Sequence, residues 1–211
     1  MRPKTREIAF LVLLAVIAGC NDAGDNNYGK VRGNVFENKL LGFSISKPDS
    51  WQIITAREGR KKISPAKNRD EKIADLVTTL DSRPIVSMLK SRTKLPPPAL
   101  KVTLSYDEQS PDISTIEILN GCSRVGSNTF ENYSVVRPPE EIEIDGRTGG
   151  YMKAHYTAQF RGDTKVYPVS YETWIIPRRR FFIMVSVMSS QMEDVKTQVE
   201  ITSIIKSIKL N

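Results

Sequence analysis

A chain of 211 residues with 31 Lys and Arg against 24 Asp and Glu carries a net charge of +7, basic without being extreme. The length suits one core-bearing domain or two small ones. Two cysteines rule out a densely stapled scaffold, and a single histidine leaves little material for a metal centre or for acid–base catalysis.

The first segment reads as a leader rather than as structure. Arg2, Lys4 and Arg6 stand against one acid, Glu7, and an uncharged apolar run follows from Ile8 to Ala18. That run is about 11 residues, short of the roughly 20 that span a bilayer core. It ends in Ile17-Ala18-Gly19-Cys20, which resembles the bacterial lipobox. The resemblance implies a diacylglyceryl group on the Cys20 sulfur and cleavage just before that residue. It therefore implies residues 1–19 as signal peptide, a membrane anchor at Cys20, and a place in the bacterial cell envelope. Asn21 is not the usual aspartate retention signal, which favours an outer membrane where the cell has one. Losing the leader would bring the net charge from +7 to +5. Export argues against a nucleic-acid partner. Cys122 would then stand alone, with no intrachain disulfide open to it, and is expected as a small buried hydrophobe.

Residues 21–33 are polar and rich in Gly and Asn, so 20–33 is read as the lipidated cysteine and a flexible tether with a reach of roughly 20 Å. The globular part is placed at 34–211. Val35 to Asn38 is a short strand, and Phe43 to Lys47 alternates as a half-buried strand should. Pro48-Asp49-Ser50 makes a turn, and Trp51 to Ile54 is the next strand. Residues 57–72 are strongly basic, including Arg60, Lys61 and Lys62. Asp70 to Leu80 has helical spacing, with Asp70 as N-cap. Strands are expected over 85–89 and 100–106, on either side of Pro96-Pro97-Pro98. A helix is expected from Asp112 to Cys122, then two short strands, 133–136 and 141–144. Three long strands follow, 149–160, 166–176 and 181–188, the last two joined by a hairpin through Pro177-Arg178-Arg179-Arg180. The end reads as a helix over 191–208. Ile201, Ile204, Ile205 and Ile208 share one face of it, while Met192, Val195 and Val199 point elsewhere.

Phe36-Glu37-Asn38, then Gly42-Phe43-Ser44-Ile45 and Pro48-Asp49-Ser50-Trp51, resemble the opening of the PsbP-like family. The aromatic strand at Trp174, the Arg180-Phe181-Phe182 strand and the closing Ile204 to Lys209 resemble its end. The resemblance implies an α+β fold, an α/β/α sandwich around a mainly antiparallel sheet. It carries over no functional residue, because the family shares core positions rather than a common site.

No Gly-x-Ser-x-Gly, Gly-x-Gly-x-x-Gly or Walker A pattern occurs. His155 sits in the middle of a strand with no metal-ligand spacing around it. Glu140, Glu141, Glu143 and Asp145 lack the spacing of a calcium loop and suit a solvated sheet edge. No cofactor is expected. The reading is a non-enzymatic accessory or binding module, held to a membrane by its lipid. Its partner would be an envelope protein or an anionic polymer, the latter met by Arg60, Lys61, Lys62, Arg178, Arg179 and Arg180. The alternative is an envelope enzyme with a cryptic active site near His155.

Overall fold

A computed structural model describes residues 29–39, 41–55, 84–90, 96–106, 114–159, 164–178 and 181–211. The leader, Cys20 and most of the tether lie outside the described residues. So do the basic stretch at 57–72, the helix expected over 70–80, and Arg179 and Arg180.

Among the described residues, two antiparallel sheets form. The smaller contains β1 (Lys30–Arg32), β2 (Val35–Asn38), β3 (Phe43–Ser46) and the closing β11 (Lys209–Leu210), in the order β1-β2-β3-β11. The larger contains β4 (Trp51–Thr55), β5 (Pro84–Lys90), β6 (Ala99–Tyr106), β7 (Glu131–Ile144), β8 (Arg147–Gln159), β9 (Val166–Pro177) and β10 (Phe181–Ser190). Its order is β4-β5-β6-β10-β9-β8-β7. Helix α1 (Thr115–Thr129) covers one face, packing Leu119 against Met152, Ala154 and Ile175. Helix α2 (Val195–Lys206) and the small sheet cover the other. There Phe36, Phe43, Ile45, Ile201, Ile204 and Ile208 join Val86, Leu100, Val102, Trp174, Ile176 and Val185 in one core. Period-two alternation in the long strands supplies both faces, since each strand must be apolar on both sides to be covered twice. The expected sandwich is therefore observed.

Four sequence expectations are corrected. Regular structure starts at β1, ahead of residue 34, because Gly33-Asn34 forms a two-residue hairpin loop between Arg32 and Val35. The two short strands expected at 133–136 and 141–144 are one strand, β7. Pro138 and Pro139 are tolerated in it because β7 is an edge strand, and register shifts flank them. Helix α1 starts at Thr115 behind a Ser114–Glu117 capping box and runs on to Thr129, past Cys122. The Ser/Gly/Asn run there reads locally as loop, but packing overrides propensity: Gly126 is buried, and a Cβ on it would lie 2.5 Å from the Tyr133 ring. Helix α2 is shorter than the expected 191–208. Asp194 caps it, accepting from the Thr197 N–H at 2.7 Å, and the chain leaves it to form β11.

Candidate functional site

Strands β7, β8 and β9 extend beneath α2 and leave a groove of about 510 Å³ between helix and sheet. On the sheet side, Tyr151 of β8 faces Trp174 of β9 and Lys153 faces Glu172, because directly paired residues share a face. The Tyr151 and Trp174 rings meet at 5.1 Å between centroids. The Tyr151 hydroxyl donates to Glu172 Oε2 at 2.7 Å, and Lys153 Nζ lies 3.3 Å from Glu172 Oε1. Burial and the adjacent Glu172 carboxylate both push the Tyr151 hydroxyl pKa well up, so it stays a hydrogen-bond donor. Arg137 of β7 lies over the Tyr151 ring, 5.0 Å from its centroid, and pairs with Glu140 at 2.7 Å. Ile142, Ile201 and Ile205 give the groove its apolar lining; Glu143, Gln198 and Lys206 lie along it.

At the far end, Asp145-Gly146 makes the β7–β8 turn with positive φ at both positions, +48° and +73°. That turn presents the Asp145 carboxylate to Lys209 Nζ at 2.9 Å and to the Leu210 N–H at 2.8 Å. These bonds hold the Asp145 carboxyl below the usual range.

Helix α2 is fixed over the sheet by a half-buried polar clamp. Glu200 accepts from Trp51 Nε1 at 3.0 Å and Ser50 Oγ at 3.2 Å, and it pairs with Lys90 Nζ at 2.9 Å. Lys90 also donates to Thr197 Oγ1. Burial works against the Glu200 carboxylate, but the bonds from Lys90, Trp51 and Ser50 outweigh it and lower the pKa. The clamp joins β4, β5 and α2, so the width of the groove is set by residues outside it.

A second hollow, about 500 Å³, is basic and lies where the hairpin ends converge, among Lys39, Leu41, Gly42, Arg147, Arg178 and Asn211. Arg178 of the predicted basic tip faces it. Its Nη2 donates to the carbonyls of Leu41 and Gly42, each at 2.8 Å, and reaches that of Asn211 at 3.4 Å. Burial and then the nearby Arg147 charge lower the Arg178 pKa. Arg178 thus has a role the sequence did not suggest: it ties the β9–β10 hairpin to the β2–β3 turn and to Asn211.

His155 is half-buried in β8, paired in register with Ser134 of β7 and Ser170 of β9. Burial lowers its pKa, Lys153 lowers it further, and Glu172 opposes both. The Ser170 hydroxyl is buried without a hydrogen-bond partner, so no Ser–His hydrogen bond forms between them. Among the described residues no three His, Cys, Asp or Glu side chains gather as metal ligands. Cys122 is half-buried on the inner side of α1, and desolvation raises its thiol pKa. No helix among the described residues is long and apolar enough to cross a membrane.

The groove residues Tyr151, Glu172, Arg137, Gln198 and Lys206 were not singled out by sequence. A signal existed: Tyr151, Lys153 and His155 alternate on a strand whose face should otherwise be apolar. That signal cannot say which helix stands above the face.

No family model matches the chain, and no curated protein matches it in sequence. Among solved structures, it is similar to LpqN of Mycobacterium tuberculosis, described as involved in cell envelope biogenesis. That match has 13% identity and a TM-score of 0.49, covering 79% of this chain and 82% of that one. It is also similar to the solution structure of cyanobacterial PsbP (CyanoP) from Synechocystis sp. PCC 6803. There the identity is 10% and the TM-score 0.52, over 87% of this chain and 98% of that one. At such identities the likeness is one of fold, and the domain has the PsbP-like α+β fold.

Proposed function

We propose that this chain is a lipid-anchored bacterial envelope protein whose domain binds a polypeptide segment of an envelope partner in the groove beneath α2, without catalysis. The anchor rests on the Ile17-Ala18-Gly19-Cys20 pattern behind a charged and then apolar leader. The binding role rests on the groove. Its lining mixes aliphatic side chains with the Glu172 carboxylate, Gln198 and Lys206, the last two without a side-chain partner among the described residues. An apolar floor bordered by a carboxylate, an ammonium and an amide suits a peptide, which offers amides and side chains of both charges. A polyanion would instead meet Asp145 and Glu172 there.

A second reading is favoured by one observation. The hollow lined by Lys39, Arg147 and Arg178 suits an anionic group. An active site near His155 is separated from both readings by His155→Ala, which would abolish an activity at an unchanged melting temperature.

Thr202 is exposed on the α2 wall of the groove, and Thr202→Arg fills it without touching the core. The test is photo-crosslinking in intact envelopes from a probe at Gln198. The groove reading expects a discrete crosslinked partner that Thr202→Arg removes. A crosslink unaffected by that change, or lost only on charge reversal at Lys39 and Arg147, counts against it.

A further inference from the structure

Helix α2 carries apolar side chains on the wrong side. Ile201 and Ile204 point inward and are buried, yet Val195 is 79% exposed and Val199 62%, and Met192, in the turn before the helix, is 80% exposed. Val195, Val199 and Lys206 are spaced four and seven residues apart, so they lie on one outward face. Exposed Lys196 flanks them.

The small sheet lies on the same side of the molecule. Its inner face contributes Phe36, Phe43 and Ile45 to the core shared with α2. Its outer face follows from the pairing. Lys30 stands opposite Glu37 and Arg32 opposite Val35, and both basic residues are exposed. The two outer faces meet through Asn34, whose amide donates to Asp49, and through Ser50, whose hydroxyl donates to Glu200 of α2. One side of the domain therefore shows Met192, Val195, Val199 and Val35 exposed, with Lys30, Arg32, Lys196 and Lys206 among them, against Glu37, Asp49, Glu193 and Asp194, the last of which caps the helix. Lys209 on the same side is matched by Asp145.

The chain outside the structure enters on this side. Strand β1 belongs to the small sheet, and eight residues lie between Cys20 and Gly29. A chain of that length, taken as a random coil, has an r.m.s. reach of about 16 Å. A lipid at Cys20 would hold the small sheet and α2, rather than α1, close to the bilayer.

We infer that Met192, Val195 and Val199 insert into the headgroup region of an anionic bilayer, with Lys30, Arg32, Lys196 and Lys206 on its surface. Apolar side chains on α2 and the turn before it, with exposed basic residues around them, are the composition of an interfacial contact. The contact is weak alone and becomes effective once the tether holds the domain within a few nanometres. It also fixes orientation, setting the groove mouth on the flank of α2 beside the membrane. The inference rests on the anchor proposed above but not on the ligand of the groove.

The test uses the processed protein purified from cell membranes, in a Cys122→Ala background, and reconstituted in phosphatidylethanolamine/phosphatidylglycerol vesicles. An environment-sensitive fluorophore is attached at Val199→Cys, or at Val125→Cys on α1 at the opposite face. The expected result is a blue shift at position 199 and loss of its emission with doxyl-labelled lipid, with neither at 125. Phosphatidylcholine vesicles should reduce both effects. A label at 199 that stays as water-exposed as the one at 125 overturns the inference whether or not Cys20 is acylated. The mass of the N-terminal peptide, read from the same sample, tests the anchor separately.

Discussion

Glu200 shows how one side chain can hold two layers together. It takes hydrogen bonds from Trp51 and Ser50 and a charge from Lys90, and only 13% of its side chain is exposed. Glu200→Gln leaves the Lys90 ammonium without its carboxylate in a half-buried site, which should cost about 2 kcal/mol. The sign of the pH dependence follows from the lowered carboxyl pKa. The folded state gains stability above the ordinary value of 4.5 and loses it as pH falls through the depressed value. Denaturant titrations should show the gap between wild type and Glu200→Gln full at neutral pH and closing in acid. A gap independent of pH would mean that the carboxylate is not what holds α2. Arg178 makes the same point from the other side: a residue picked out as a surface charge spends a guanidinium nitrogen on backbone carbonyls.

Helix α1 illustrates how an element can outlast its local signal. Its start is strong, because Ser114 Oγ accepts from the Glu117 N–H at 3.1 Å while Glu117 accepts from the Ser114 N–H at 3.0 Å. Its second half contains Ser123, Gly126, Ser127 and Asn128, poor helix formers held in place by contact with β7 and β8. Ser114→Ala should therefore cost about 1 kcal/mol in thermal or chemical denaturation. Loss of the whole helix signal in circular dichroism would show that the cap, and not packing, sustains the element. In α2 the two apolar faces that conflict in sequence separate in space: the isoleucines enter the core and the valines do not.

The whole molecule is a sandwich with two unlike sides. The side covered by α1 buries a small cluster, and the side covered by α2 and the small sheet buries the larger one and carries the groove. Attachment at Cys20 would orient this asymmetry toward a membrane. Cys20→Ala should move the protein from the membrane pellet to the soluble fraction, or leave it as an uncleaved precursor. Fully processed Cys20→Ala protein that still pellets would count against the anchor.

The sequence by itself determined most strand positions among the described residues, because alternation and turn residues are local properties, and its resemblance to the PsbP-like family implied the sandwich. It also carried the lipobox pattern, which needs no folded neighbour to be read. Only the tertiary structure decided that Pro138 and Pro139 sit in one edge strand, that α1 continues through glycine and serine, and that β1 belongs to the fold. It alone brought Tyr151, Glu172 and Arg137 beneath Gln198 and Lys206. The physical reason is shared: each outcome depends on what packs across from a residue, and that partner lies tens of residues away along the chain.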